Sequence, residues 1–493
     1  MNKGSIYGAQ SQGICRLFEE AGDPRKVMCV PMDYAKADHT VLFCNGYGEV
    51  LRQPFTVKNT PEGLAYLVQE IHSACRHRGI SPGHVFCGGE DGGPYALNFI
   101  EARRAQAWMV CGVNAHDAKK QRENLQASTD KLDLLGIAKV LLNRRGNEEP
   151  AQQGLYRNLR NLSRARRTAV RMATAVTNRI HGLVDQLFPG FLEEKHSGID
   201  PFSEGCLGLL ERRFSALEIR RRKITSLVHG LQRCGTPDPE GRAKTLQAYA
   251  GKTFCAPNVY VGTLQQTLKG QVALYRCLLA DIEDNERQMA VWLAQTPGAL
   301  LTTWPGIGIT LAAGVTAELG DPWRQTAQHS LRQIASYVGI IPRSSQSGGP
   351  EKKAHTGHVA KRCNRILKDY VVQSAVHVGQ QGPEAIRQDY ARRKANGQHA
   401  DFGLARRYLR AAIHMMRHGE IYLPPALRQA DCPKEQRLAY YLDLWPKVRE
   451  KWTRLGAESE AFAAERPLGQ WKVMVEELYE VTLPLKKNST ACH

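Results

Sequence analysis

Four acidic residues stand at spacings that suit a metal site acting on phosphodiesters. Asp33 ends an apolar run, Val27-Met28-Cys29-Val30-Pro31-Met32, and Glu90 follows a second, His84-Val85-Phe86-Cys87. Asp130 and Asp133 are three apart in a segment that reads as a helix. Residues at i and i+3 share a helix face, about 5–6 Å apart at Cβ. Carboxylates that close repel one another, and a cation lets both stay ionised. Hard divalent cations take carboxylate oxygens, and phosphodiester chemistry commonly uses two such ions about 3.5–4 Å apart. Any one of the four alone reads as a solvated surface acid. Two strand ends joined to an i,i+3 pair favour the metal site.

Three further features bear on phosphate. Pro342-Arg343-Ser344-Ser345-Gln346-Ser347-Gly348-Gly349-Pro350 presents three hydroxyls in a Gly-flanked loop. Cations follow it, among them Lys352, Lys353, Lys361 and Arg362. A serine hydroxyl needs a base or a positive field to act as a nucleophile. A loop of this composition is most often only a loop. Next, Trp304-Pro305-Gly306-Ile307-Gly308 precedes a small-residue helix. Two glycines there expose backbone N–H groups that can hold a phosphate without reading a base, as in a helix-hairpin-helix clamp. The alternative is a plain interhelical turn. Finally, Arg157, Arg160, Arg164, Arg167 and Arg171 recur at three- and four-residue steps, and no Asp or Glu lies between Leu155 and Ile180. That face predicts phosphate tracking along a nucleic acid, against a merely solvated face.

The elements that must position these groups are legible from periodicity. Strands are predicted over 27–33, 40–45, 49–57, 84–89 and 107–113, and helices over 61–78, 93–105 and 116–143. A meander followed by alternating helix and strand predicts a mixed-sheet α/β domain over 26–150, behind an N-terminal tail, 1–25. Asp33 and Glu90 fall at strand ends, where open sheets place ligands. Apolar residues at helical steps predict a long paired-helix arm over 151–300, either dimerising or an ordinary bundle. A helical domain follows over 301–423. Pro424-Pro425 marks a boundary before a helical extension, 424–493, in which no chemistry is evident.

Composition narrows the partners. The chain has 493 residues and a net charge of +19, a balance that points to nucleic acid, with an inert basic surface as the alternative. Its 13 cysteines are scattered with no C-x-x-C pair, which disfavours structural zinc and fits reduced thiols. No apolar run approaches the length of a membrane span, and Met1 to Gly13 lacks a signal core. A soluble intracellular protein is expected.

With these residues in place, the chain resembles DEDD-type transposases of the insertion-sequence-110 family, the RNA-guided serine recombinases. The likeness covers roughly residues 26–423. Asp33, Glu90-Asp91-Gly92-Gly93-Pro94-Tyr95 and Ser128-Thr129-Asp130-Lys131-Leu132-Asp133 match the acidic motifs. Asn178-Arg179-Ile180 and Phe188-Pro189-Gly190 match the helical middle. Pro305-Gly306-Ile307-Gly308, Ala335 to Arg343, Ser347-Gly348-Gly349 and Lys361-Arg362-Cys363-Asn364-Arg365 match the C-terminal part. Two departures stand out: Asp91-Gly92 replaces an Ala-Thr pair, and Cys363 replaces a glycine.

The resemblance implies a RuvC-like (RNase H-like) α/β domain, a coiled-coil arm and an all-α transposase domain. It implies strand exchange through a phosphoserine link, with Ser347 the expected nucleophile and Ser345 the alternative. Asp33, Glu90, Asp130 and Asp133 would bind Mg²⁺, or Mn²⁺ in its place. Implied partners are donor and target DNA, a structured noncoding guide RNA, and further copies of the chain as a homodimer or homotetramer. The implied location is the bacterial cytoplasm, at the nucleoid. Arg157, Arg160, Arg164, Arg167, Arg171, Gly306, Gly308, Arg343, Lys352, Lys353, Lys361 and Arg362 are the candidate nucleic-acid contacts. A hydrolytic junction endonuclease and a non-catalytic DNA- or RNA-binding protein remain the alternatives.

Overall fold

In the computed structural model the chain forms two units, 1–150 and 151–493. The structure describes residues 10–90, 93–106, 108–122, 130–148, 154–255, 258–323, 326, 329–345, 355–359, 363–397 and 399–483. Of Asp130, Arg343, Ser344, Ser345 and a few others only the backbone is described.

The first unit is built on a five-stranded sheet: β1 (Met28–Asp33), β2 (Asp38–Asn45), β3 (Val50–Lys58), β4 (Val85–Glu90) and β5 (Met109–Val113). Its spatial order is β3-β2-β1-β4-β5. The first three strands run antiparallel as the meander, and β1, β4 and β5 are parallel. This is the mixed sheet expected from the sequence. Side chains alternate between faces along a strand. Met28, Val30 and Met32 therefore pack with Leu67, Ile71 and Phe99, from helices α2 (Pro61–Arg78) and α3 (Leu97–Arg104). Cys29 and Phe86 face the other way and pack with Ile137 and Leu141.

That second face holds α1 (Gln12–Ala21) and α5 (Asp130–Leu142), with α4 (Ala115–Gln121) against α5. The helix α1 corrects the expectation of a tail over 1–25. Ser11 caps it by accepting from the Ile14 N–H, and Ile14, Leu17 and Phe18 are buried against the sheet. The single helix predicted over 116–143 is two, α4 and α5. The helix predicted over 93–105 is a 3₁₀ turn, Gly93–Tyr95, followed by α3.

The second unit is mainly helical. The long helices α6 (Leu155–Leu187) and α12 (Asn258–Ala294) lie along one another in opposite directions. Near the N-terminal end of α6, Leu159 shares a core with Met289 and Leu293, while Val184 and Leu187 share another with Leu268 and Val272. Between them come α7 (Glu194–Ser197), α8 (Glu204–Leu210), α9 (Ala216–Arg221), α10 (Ile224–Arg233) and α11 (Pro239–Lys252), around Phe188, Phe191 and Phe214.

Beyond α12 the chain runs through a 3₁₀ helix, Pro297–Thr303, to α13 (Ile309–Leu319) and α14 (Leu331–Val338). A two-stranded antiparallel ribbon follows, β6 (Pro342–Ser345) and β7 (His355–Val359), where the sequence predicts only a loop. Then come α15 (Arg365–Gln381), α16 (Glu384–Ala395) and α17 (Ala400–His418). The extension forms α18 (Lys434–Thr453), α19 (Glu458–Phe462) and α20 (Pro467–Tyr479). It is helical as expected but not separate. Trp445 and Trp452 are fully buried and belong to the same core as Trp304, Tyr408 and Leu367. No described helix is long and apolar enough to cross a membrane.

Candidate active site and nucleic-acid interface

Strand alternation places the acids. Asp33 follows the parity of Cys29, and Glu90 that of Phe86, so both belong to the sheet face that α5 covers. Met32 pairs with Gly89 across the parallel β1–β4 ladder, which brings the two strand ends level. Two glycines make this close packing possible. A Cβ on Gly88 would meet Leu141 of α5 at 2.7 Å, and one on Gly89 would meet the Met32 carbonyl oxygen at 2.3 Å. The backbone of Asp130 opens α5, and Asp133 follows one turn later.

Glu90 and Asp133 converge on one guanidinium. Arg122, just past α4, lies 2.5 Å from Asp133 Oδ1 and 3.7 Å from Glu90 Oε1. Gly136 permits this approach, because a Cβ there would meet the Ala118 carbonyl at 2.6 Å and Arg122 Cγ at 3.0 Å. Burial raises the Glu90 pKa above the ordinary carboxylate value, Arg122 opposes the shift, and Asp133 adds to it. Glu90 Oε1 is buried without a hydrogen-bond partner. Asp133 Oδ1 is likewise buried without a hydrogen-bond partner, and carboxylate oxygens that face a positive group in this way suit a hard cation. Among the described side chains no three His, Cys, Asp or Glu already converge as a metal-holding group.

In the second unit, Trp304 to Gly308 forms the turn before α13. Gly306 has φ +86°, and a Cβ would strike the His377 carbonyl oxygen at 2.8 Å. Only glycine satisfies both demands. Gly308 is the N-cap of α13, extended and with open space at its Cβ position. The serine region is partly placed. Ser345 ends β6 and pairs in register with His355, while Ser347, Lys352, Lys353, Lys361 and Arg362 lie outside the described residues. Arg343 is placed on β6 by its backbone.

The arginine face departs from the sequence reading. Acids do compensate it, but from other helices. Glu318 of α13 is fully buried and accepts from Arg160 Nε at 3.3 Å and from Arg164 Nε at 2.6 Å. Arg166 pairs with Glu286 at 2.7 Å, and Arg167 with Asp369. Arg171 is exposed, and Arg157 is half-buried. Three of the five candidate phosphate contacts thus hold helices together within this unit.

Two family models match the chain. One, described as a transposase of the DEDD IS110 type, matches residues 30–189; the other, described as "Transposase IS116/IS110/IS902 family", matches 298–391. The chain belongs to the IS110 family of transposases. A curated relative from Streptomyces coelicolor, named as a mini-circle transposase for IS117, is 26% identical over 289 residues. That alignment covers 54% of this chain and 66% of the relative. The first family match contains all four candidate acids, and the second contains the turn, Glu318 and the serine region.

Within those family segments the sequence reading missed Arg122 and Glu318. Nothing in the spacing marks Arg122, which reaches the carboxylates only because α4 crosses α5 at Gly136. Glu318 had a signal: it opens a Glu-Leu-Gly-Asp motif in the last turn of an apolar small-residue helix. Burial raises its pKa, but hydrogen bonds from Arg164 and Asn364 and the charges of Arg160 and Arg164 more than offset this and hold it low. Asn364 donates to Glu318 Oε2 at 2.9 Å and to Tyr337 Oη at 3.0 Å, while its Oδ1 caps α15 by accepting from the Leu367 N–H. Glu318 therefore ties α6 and α13 to the residue that follows the ribbon and its basic segment.

Proposed function

We propose that this chain is an insertion-sequence transposase that cuts and rejoins DNA through a covalent phosphoserine link. The observation that carries it is the convergence of Glu90 and Asp133 on Arg122, on the sheet face shared with Asp33. Carboxylates grouped around a cation at parallel strand ends suit phosphodiester chemistry. Asp33, Glu90, Asp130 and Asp133 would hold Mg²⁺, or Mn²⁺ in its place, which supplies positive charge at the reacting phosphate.

In this reading Ser347, or Ser345 in its stead, loses its hydroxyl proton as its oxygen bonds to phosphorus. The ester bond to one DNA strand breaks, and the departing oxygen takes up a proton. Rejoining reverses the exchange with another strand, so neither step consumes water. The turn at Gly306 and Gly308 grips backbone, together with Arg343, Lys352, Lys353, Lys361 and Arg362, and with Arg157 and Arg171 where α6 is accessible. A structured noncoding RNA chooses donor and target by base pairing, while the protein reads shape and charge. Apolar side chains left exposed along α12, including Val259, Tyr260, Leu274 and Leu279, support a coiled-coil arm that joins copies into dimers or tetramers.

The test is a DNA–protein adduct on a denaturing gel, after incubation with Mg²⁺, the flanking RNA and labelled donor and target DNA. Wild type should give an RNA-dependent adduct that Ser347→Ala abolishes, Ser345→Ala retains and Asp130→Ala weakens severely. Cleaved DNA with no adduct in any lane would replace this reading with a hydrolytic endonuclease. Salt-sensitive binding without cleavage would replace it with a binding protein.

A further inference from the structure

Lys451 lies near the end of α18, outside both segments that match the family. Its Nζ donates to the carbonyl oxygens of Thr302 at 2.6 Å and Ile307 at 2.8 Å, and reaches that of Trp304 at 3.5 Å. Those three carbonyls bracket the Pro305-Gly306-Ile307 turn. No carboxylate pairs with Lys451 among the described residues, and its burial draws the pKa down to about 8. An ammonium surrounded by backbone carbonyls, with no counter-ion, occupies the environment that carbonyl rings offer a monovalent cation.

We propose that Lys451 is a built-in cation of this turn, supplied on a tether by the C-terminal extension. Three carbonyl dipoles pointed at one spot repel one another unless a positive charge sits there. The ammonium lets the carbonyls gather on the inner side of the turn. Amides in the first turn of α13, which have no intrahelical partners, are then left for an anion. The extension, with Tyr422 just before it, is fitted closely to this task. Trp452 Nε1 donates to Thr302 Oγ1 at 3.2 Å, and the Tyr422 N–H donates to Thr303 Oγ1 at 2.9 Å. Trp304 stacks on Tyr422 with ring centroids 4.5 Å apart, and Tyr440 Oη donates to the Tyr422 carbonyl at 2.8 Å. The cage stands on this geometry alone; its consequence for DNA rests on the proposed role of the turn as a backbone clamp.

The experiment compares full-length wild type, Lys451→Ala and Lys451→Met in ammonium chloride and in tetramethylammonium chloride at equal ionic strength. Thermal unfolding is followed by tryptophan fluorescence. Binding to a short duplex DNA of arbitrary sequence is measured in parallel. Lys451→Ala should melt below wild type in the bulky ion and recover in ammonium, which fits the vacated space. Wild type and Lys451→Met, whose side chain fills that space, should show no such preference. DNA affinity should fall about tenfold or more in Lys451→Ala and return with ammonium. Equal behaviour of Lys451→Ala in both salts overturns the proposal. A Lys451→Ala chain unfolded in both salts overturns it as well, because the tether and not the charge would then be what matters. Stability that recovers in ammonium while DNA affinity never changes upholds the cage and removes the turn from DNA binding.

Discussion

Arg122 sets the electrostatics of the carboxylate site. Glu90 and Asp133 both face one guanidinium, and the Glu90 oxygen that faces it, at 3.7 Å, makes no hydrogen bond. Removing the guanidinium leaves two like charges at close range with only water or a divalent ion to separate them. Arg122→Ala should therefore unfold at a lower temperature than wild type in a chelating buffer. It should gain more than wild type when Mg²⁺ is added, since binding to the native state stabilises by mass action. Differential scanning fluorimetry across a Mg²⁺ titration checks this without any DNA. A variant whose melting responds to Mg²⁺ no more than wild type would show that Arg122 does not stand where a cation binds. The placement of Asp33 and Glu90 at strand ends, and of Asp130 and Asp133 one turn apart on a helix, was readable from spacing, because these are local patterns. Arg122 was not, since its position depends on a helix crossing at Gly136 that no local pattern encodes.

Among the elements, α6 joins the second unit through charge as much as through apolar packing. Its arginines meet Glu318, Glu286 and Asp369, which lie more than a hundred residues further along the chain. Reading α6 alone shows a face without acids and suggests free phosphate contacts; the compensation is tertiary. Glu318→Gln keeps the shape and removes the charge, at a cost of about 2 kcal/mol for charged hydrogen bonds. The sign with pH follows from the depressed carboxylate. Its contribution is complete above the unfolded pKa, near 4.5, and is lost as pH falls through the lower folded value. Urea melts should thus separate wild type from Glu318→Gln fully at neutral pH, with the gap closing below about pH 4. A gap that stays constant on acidification would mean that Glu318 acts by shape alone. Elsewhere legibility tracked local signals. Thr60, Pro61 and Gly79 bracket α2 with a cap, a first-turn proline and a left-handed stop, and its predicted bounds hold. Helix α1 does carry helical spacing, in Ile14, Leu17, Phe18 and Ala21, but over a short stretch that follows a polar one, whereas the β6–β7 ribbon carries no strand periodicity that would reveal it.

On the scale of the whole molecule, Pro424-Pro425 looked like a domain boundary because prolines and a composition change usually mark one. Core packing ignores it. Trp445 and Trp452 from the extension are buried with Trp304 and Tyr408, which precede the boundary, and Lys451 sits on the turn between Trp304 and α13. Removing one buried tryptophan side chain costs about 3–5 kcal/mol, and whole domains are stable by only about 5–15 kcal/mol. A chain stopped after Leu423 loses both tryptophans at once, so the core that holds the turn should not form. Among the described residues, the first unit builds apolar cores on both faces of its sheet from its own side chains. Limited proteolysis of the truncated chain should therefore degrade residues beyond 151 and leave a protected fragment of roughly 1–150, whereas the full chain resists at both units. Equal resistance of the second unit in both chains would make the extension an appendage after all. Degradation of the first unit together with the second would show that its cores do not suffice alone.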